Sequence, residues 1–136
     1  MKLKVAFVCI HNSCRSQMGE GWAKHLGSDI FEVYSAGTED YPEVKPLAKA
    51  VMEEAGIDMS GHHPKLLSDI PPSLDILITM GCGVACPFVP TRYRADWGLV
   101  DPSGGPIEDF RVTRDIIKGK VEELIEAVKN DTLFVK

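Results

Sequence analysis

Residues 8–20 read VCIHNSCRSQMGE and follow the apolar run Leu3 to Val8 without a break. That run suits a strand buried on both faces of a parallel sheet, here ending at Cys9. Ser16 to Leu26 reads as a helix, with Ser16 as its cap and Gly27 as its stop. A strand, a tight loop and a helix start in this order point several backbone N–H groups, the helix dipole and the Arg15 guanidinium at one spot. Such a spot is a cradle for a tetrahedral oxyanion, formed by Ile10, His11, Asn12, Ser13, Cys14, Arg15 and Ser16.

Cys9 sits at the bottom of that cradle, where an electropositive field favours a thiolate and makes cysteine a strong nucleophile. Arg15 matters for shape as well as charge, because its planar fork can bond two oxygens of one anion at once. Asn12 and Ser13 suit loop positions with left-handed backbone or side-chain to backbone bonds. The competing reading is a buried structural cysteine at a strand end with Arg15 solvated on a helix; the strand, the Asn-Ser turn and Ser16 together speak against it.

A chain of 136 residues fits one domain spanning 1–136, large enough to bury about 68% of its unfolded surface without disulfides or metals. Its 44% hydrophobic and 26% charged residues are ordinary for a globular protein. No apolar run reaches membrane-spanning length, and the N-terminus is too short and strand-like for a signal peptide, which implies a cytoplasmic protein with no membrane partner. The net charge of −5, with no Lys/Arg-rich stripe, argues against a nucleic-acid surface. In a reducing cytoplasm the four cysteines, Cys9, Cys14, Cys82 and Cys86, are catalytic, redox or metal-binding rather than structural.

Further strands are expected over Phe31 to Ala36, Leu74 to Met80 and Asp96 to Val100. Helices are expected over Pro46 to Ala55, with Leu47, Ala50, Val51 and Ala55 inward, and over Ile107 to Asn130; a short helical turn is expected near Leu66 to Ile70. The alternation implies an α/β fold, a single four-stranded parallel sheet with helices on both faces and an anion-binding loop after the first strand. In such a sheet ligands bind at the carboxyl ends of the strands, where Cys9, Ser35, Cys82 and Asp101 all fall. Asp101, stiffened by Pro102, could donate a proton to a leaving oxygen as general acid, although Asp-Pro turns also arise for local reasons. Cys82 and Cys86 form C-x(3)-C among glycines. That spacing allows a dithiol relay, a zinc site with His62 or His63, or two buried cysteines. His25 reads as solvated, Trp97 as core and Cys14 as packed; His62 and His63 are given no catalytic role.

With these residues placed, the chain resembles the thioredoxin-coupled arsenate reductases built on the low-molecular-weight tyrosine phosphatase fold. The segments VCIHNSCRSQMGEGWAK, VYSAG, GIDMSGH, ITMGCGVACP, DWGLVDPSG and FRVTRDII carry the resemblance. It implies that Cys9 is the nucleophile, Arg15 the oxyanion binder, Asp101 the acid, and Cys82 and Cys86 the relay pair. It also implies arsenate as substrate, with phosphate or sulfate able to occupy the loop, thioredoxin or a similar dithiol as reductant, and no cofactor; nothing in the sequence demands more than a monomer. Two departures stand out. The relay cysteines are closer together than in well-known members. Some members bind potassium through positions matching Asn12, Glu20, Ser35 and an acid, and here the fourth position is Lys65, whose ammonium can take the cation's place; no metal is expected.

Two other functions fit parts of the pattern. The same loop and Asp101 would cleave a phosphate ester through a Cys9 phosphoenzyme, but Ser103, Gly104 and Gly105 replace the aromatic residues that grip phosphotyrosine. A non-enzymatic thiolate binder of arsenite or metal would use the four cysteines and leave Arg15 and Asp101 without a task.

Overall fold

The computed structural model describes residues 2–9, 12, 14–38, 42–81 and 91–133. Its elements are β1 (Leu3–Cys9), α1 (Arg15–Gly27), β2 (Phe31–Gly37), α2 (Pro46–Glu54), a 3-10 turn at Leu67–Asp69, β3 (Leu74–Thr79), β4 (Thr91–Asp96) and α3 (Ile107–Lys129). The four strands form one parallel sheet in the order β2-β1-β3-β4. β1 is central, and Val5, Ala6, Phe7 and Val8 are fully buried. Burial on both faces explains the apolar stretch Val5 to Cys9 that follows the exposed Lys4, since each Val or Phe removed from water contributes about 1.5–3 kcal/mol.

Successive side chains of a strand point to opposite faces, and the core divides accordingly. Val5, Phe7 and Cys9 join the larger cluster with Met18, Trp22, Val51, Met52, Phe110, Ile117 and Val121, so α1, α2 and α3 all cover that face. Ala6, Val8, Ala36 and Leu77 face the other way and are covered by Ile70 and Leu67 of the 3-10 turn segment. Helical cover is therefore present on both faces but unequal among the described residues. No helix among the described residues is long and apolar enough to cross a membrane.

Two expectations need correction. The fourth strand runs Thr91–Asp96 and not Asp96 to Val100. Its sequence TRYRAD alternates half-buried and exposed residues, as an edge strand does, and its arginines hid it from a search for apolar runs. Gly98, at φ +61, leaves the extended region where the strand was expected to continue. In α2 the inward stripe is Ala48, Val51 and Met52, while Leu47 is 37% exposed; the stripe follows i, i+3, i+4 from Ala48.

Gly81, at φ +94, closes the carboxyl end of β3 against the segment after β4. A Cβ there would lie 2.6 Å from Leu99 O and 2.7 Å from Leu99 N. The Gly81 N–H donates to Asp96 Oδ1 at 2.7 Å, and the Trp97 N–H donates to Thr79 O at 2.8 Å. Gly81→Ala is therefore expected to lose about 2 kcal/mol or more in a urea melt, from the left-handed backbone and the clash together. Gly61→Ala, where a Cβ meets nothing within 4 Å, is the control and should change stability by less than about 0.5 kcal/mol.

Candidate active site

The site lies at the carboxyl ends of β1, β2 and β3, where the loop after β1 meets the segment that follows β4. Cys9 ends β1 and is 4% exposed, with its Sγ 2.9 Å from Ser16 Oγ. Asn12 is fully buried in the left-handed region, at φ +54, a conformation that Asn tolerates better than most residues. Its Oδ1 accepts the Lys65 backbone N–H at 2.8 Å, which fixes the amide so that Nδ2 donates to Ser16 Oγ at 2.8 Å. The Ser16 oxygen thus accepts from Asn12, and its own hydrogen goes to the Cys9 sulfur when that sulfur is a thiolate with no hydrogen to give. Ser16 was expected to cap α1; instead Cys14 holds the cap position with no side-chain bond, and Ser16 lies in the first turn facing Cys9.

Arg15 opens α1 and is 7% exposed. Its Nη1 donates to Met80 O and Leu99 O, both at 2.9 Å, and its Nη2 lies 3.7 Å from Asp101 Oδ2. Nε is buried and has no partner among the described residues. A buried donor in this condition is costly to a fold and marks a place for another acceptor. The competing picture of a solvated Arg15 is excluded by its burial.

Asp101 Oδ1 accepts the Ser103 N–H at 3.0 Å. Its partial burial disfavours the charge, but the Ser103 bonds, then Arg15 and Lys45, outweigh that and hold the carboxyl below its usual value. Pro102 behind it is buried. The groove beside Asp101, about 840 Å³, is lined by Trp97, Val100, Ser103, Val112 and Ile116 among others. Burial, and next Asp101 and Cys9, push the Cys14 thiol up to about 12 against Arg15 and Lys45. Cys14 is thus a packed, protonated thiol, 3% exposed.

Behind the loop, Glu20 is 4% exposed and collects three donors. Ser35 Oγ donates to its Oε1 across a short bond, Lys65 Nζ lies 3.4 Å from the same oxygen, and Lys24 Nζ donates to Oε2 at 2.6 Å. Burial alone would raise the Glu20 carboxyl, yet the bonds from Lys24 and Ser35 and the charge of Lys65 carry it below the usual value. Lys65 Nζ also donates to His63 O at 3.0 Å. Asn12, Glu20, Ser35 and Lys65 are therefore one connected group, with an ammonium rather than an acid at its fourth position. No cluster of His, Cys, Asp and Glu able to hold a metal occurs among the described residues.

Cys9, Asn12, Cys14, Arg15, Ser16 and Asp101 are thus brought to one rim. Ile10, His11, Ser13, Cys82 and Cys86 lie outside the described residues. Sequence reading passed over Gln17, which is fully buried. Its Nε2 faces Asn12 O and Asn12 Oδ1 at 3.0 Å and His63 O at 2.9 Å, and its Oε1 lies 2.9 Å from His62 Nδ1. Glutamine inside an ordinary helical pattern carries no signal of such contacts.

A family model described as low molecular weight phosphotyrosine protein phosphatase matches residues 4–133. The chain belongs to that family. A glutaredoxin arsenate reductase from Synechocystis is 44% identical over 129 residues, 92% of this chain and 98% of that protein. A solved arsenate reductase in a phosphate-binding state is 45% identical, with a TM-score of 0.84 over 93% of this chain and 98% of the other. The thioredoxin-dependent arsenate reductase of Corynebacterium glutamicum is 30% identical, with a TM-score of 0.78 over 96% of this chain and 63% of the other.

The buried carboxylate gives a stability test. At neutral pH, Glu20→Gln should lose about 2–3 kcal/mol in urea melts, because it leaves Lys65 and Lys24 without their counter-charge. Since the folded carboxyl lies below its ordinary value of 4.5, its contribution is present above that pH and is lost as the pH falls through the folded value. The gap between wild type and variant should therefore hold at neutral pH and narrow in acid.

Proposed function

We propose that this protein is an arsenate reductase that passes electrons from a thioredoxin-type dithiol to arsenate through Cys9, Cys82 and Cys86. The observation that carries the reading is the buried Cys9 sulfur, bonded to Ser16 and gathered with Arg15 and Asp101, in a chain similar to arsenate reductases over nearly its whole length. The loop amides and the Arg15 guanidinium hold the oxygens of arsenate. The Cys9 thiolate attacks arsenic(V) and displaces one oxygen, which Asp101 protonates. The Asp101 carboxyl is ionised beside Arg15 in the free protein, so its proton must arrive with the anion.

Cys82 then attacks the Cys9 sulfur of the thiol–arsenate adduct; a Cys9–Cys82 disulfide forms, the S–As electron pair stays on arsenic, and arsenite leaves. Cys86 attacks Cys82, freeing the Cys9 thiolate and leaving a Cys82–Cys86 disulfide for reduction by the external dithiol. In this reading the chain works as a single-domain monomer in the cytoplasm, without cofactor. The C-x(3)-C spacing lies near the upper end of disulfide reach for one helical turn, and the adjoining glycines permit the distortion needed to close it.

The test is arsenite production from arsenate with thioredoxin, thioredoxin reductase and NADPH. Wild type should turn over, and Cys9→Ser, Cys82→Ser and Cys86→Ser should each abolish it. Full activity of Cys86→Ser would remove the relay, and wild type that hydrolyses aryl phosphates but makes no arsenite would replace this reading with a phosphatase. Turnover with glutaredoxin and glutathione alone would change the reductant only. A second expectation concerns Lys65: activity and melting temperature should be equal in potassium and sodium chloride at matched ionic strength. A clear rise with potassium would show that the ammonium does not replace the cation.

A further inference from the structure

We propose that Gln17 is a positioning residue that joins His62 to the Asn12–Ser16–Cys9 hydrogen bonds and through them polarises the Cys9 sulfur. The proposal rests on Cys9 being the nucleophile and extends the machinery behind it. Gln17 Nε2 lies within 3.0 Å of three oxygens, Asn12 O, Asn12 Oδ1 and His63 O. None of these oxygens can donate, so the amide must turn its NH2 toward them. Its Oε1 is then an acceptor, and His62 Nδ1, 2.9 Å away, must carry the hydrogen.

The remaining bonds have the same sense. Gln17 donates to Asn12 Oδ1, Asn12 Nδ2 donates to Ser16 Oγ, and Ser16 donates to Cys9 Sγ when that sulfur is a thiolate. Each amide accepts at one end and donates at the other, so every bond polarises the next toward the sulfur. Burial keeps water from competing along the path: Gln17, Asn12 and Ser16 are fully buried and Cys9 is 4% exposed. His62 is the outer end, and its burial, acting against Glu20 and Asp58 and with Lys24 and Lys65, holds the imidazole below its usual value. A neutral ring with its hydrogen on Nδ1 meets the requirement.

A merely structural Gln17 would tie the loop to residues 62–65 and affect stability alone. A positioning Gln17 also affects the reactivity of a sulfur that it does not touch. The test is the rate of Cys9 alkylation by iodoacetamide at neutral pH, read on the Cys9 peptide by mass, beside kcat and KM for arsenate and a urea melt. Gln17→Met keeps the length and removes both polar ends. It should slow alkylation and kcat together by about fivefold, the equivalent of one net hydrogen bond, with KM little changed. His62→Leu should act in the same direction and more weakly, and His62→Gln, whose amide can donate to Gln17 Oε1, should restore the wild-type rates.

A folded Gln17→Met that alkylates at the wild-type rate overturns the proposal. If Gln17→Met does not fold, the His62 pair decides: His62→Leu alkylating as fast as wild type overturns it, and slowing that His62→Gln reverses supports it. Cys9→Ser in the same arsenate assay separates the two levels. Persistent arsenite production there defeats the functional reading, whereas the Gln17 result defeats only the chain.

Discussion

The hydrogen bond from the Lys65 backbone to Asn12 Oδ1 decides the orientation of everything between it and the nucleophile. Without it only Gln17 Nε2 would hold the Asn12 oxygen in place, and the Nδ2 bond to Ser16 would be less firmly set. The bond depends in turn on the sheet. The Gly37 N–H donates to Lys65 O at 2.7 Å, and Gly37, the last residue of β2, bridges to Leu66, which holds residue 65 beside the loop. Gly37 is also the partner of Cys9 in the β1–β2 register. One end of the sheet thus carries both the nucleophile and the clamp on its neighbours, and Asn12 can hold its left-handed backbone because several contacts determine it at once.

Charge is arranged to the same end. Arg15 is kept from solvent and spends Nη1 on two main-chain carbonyls, which ties the loop after β1 to the segment after β4. Charge-assisted bonds of this kind are stronger than neutral ones and fix the guanidinium plane. Glu20 satisfies Ser35, Lys65 and Lys24 behind the loop, so its buried carboxylate is compensated there. An acidic chain with a net charge of −5 can therefore still present a locally positive cradle.

The sequence exposed these features unevenly. β1, β3 and the start of α1 were legible because burial on both faces writes itself as an apolar run, and a loop of C-x(5)-R between a strand and a helix has few other uses. Lys65 was found only through the family pattern, as the residue standing where an acid would be. β4 was misplaced because an edge strand needs only half its residues inside, and TRYRAD hides that in charge. Gln17 was missed because its importance lies in contacts with residues 12, 62 and 63 that only the folded chain creates. Asp101 was read as following a strand directly, whereas the segment from Trp97 to Val100, pinned by Gly81, lies between them.

The central claim is that Cys9 takes the arsenic and Cys82 takes Cys9. The most direct measurement is peptide mapping of Cys86→Ser after a single exposure to arsenate without any external reductant. The account predicts one disulfide joining the Cys9 and Cys82 peptides, with one arsenite released per chain. Unchanged arsenate and free thiols at both positions, or a Cys82 variant that still releases arsenite under the same conditions, would contradict it.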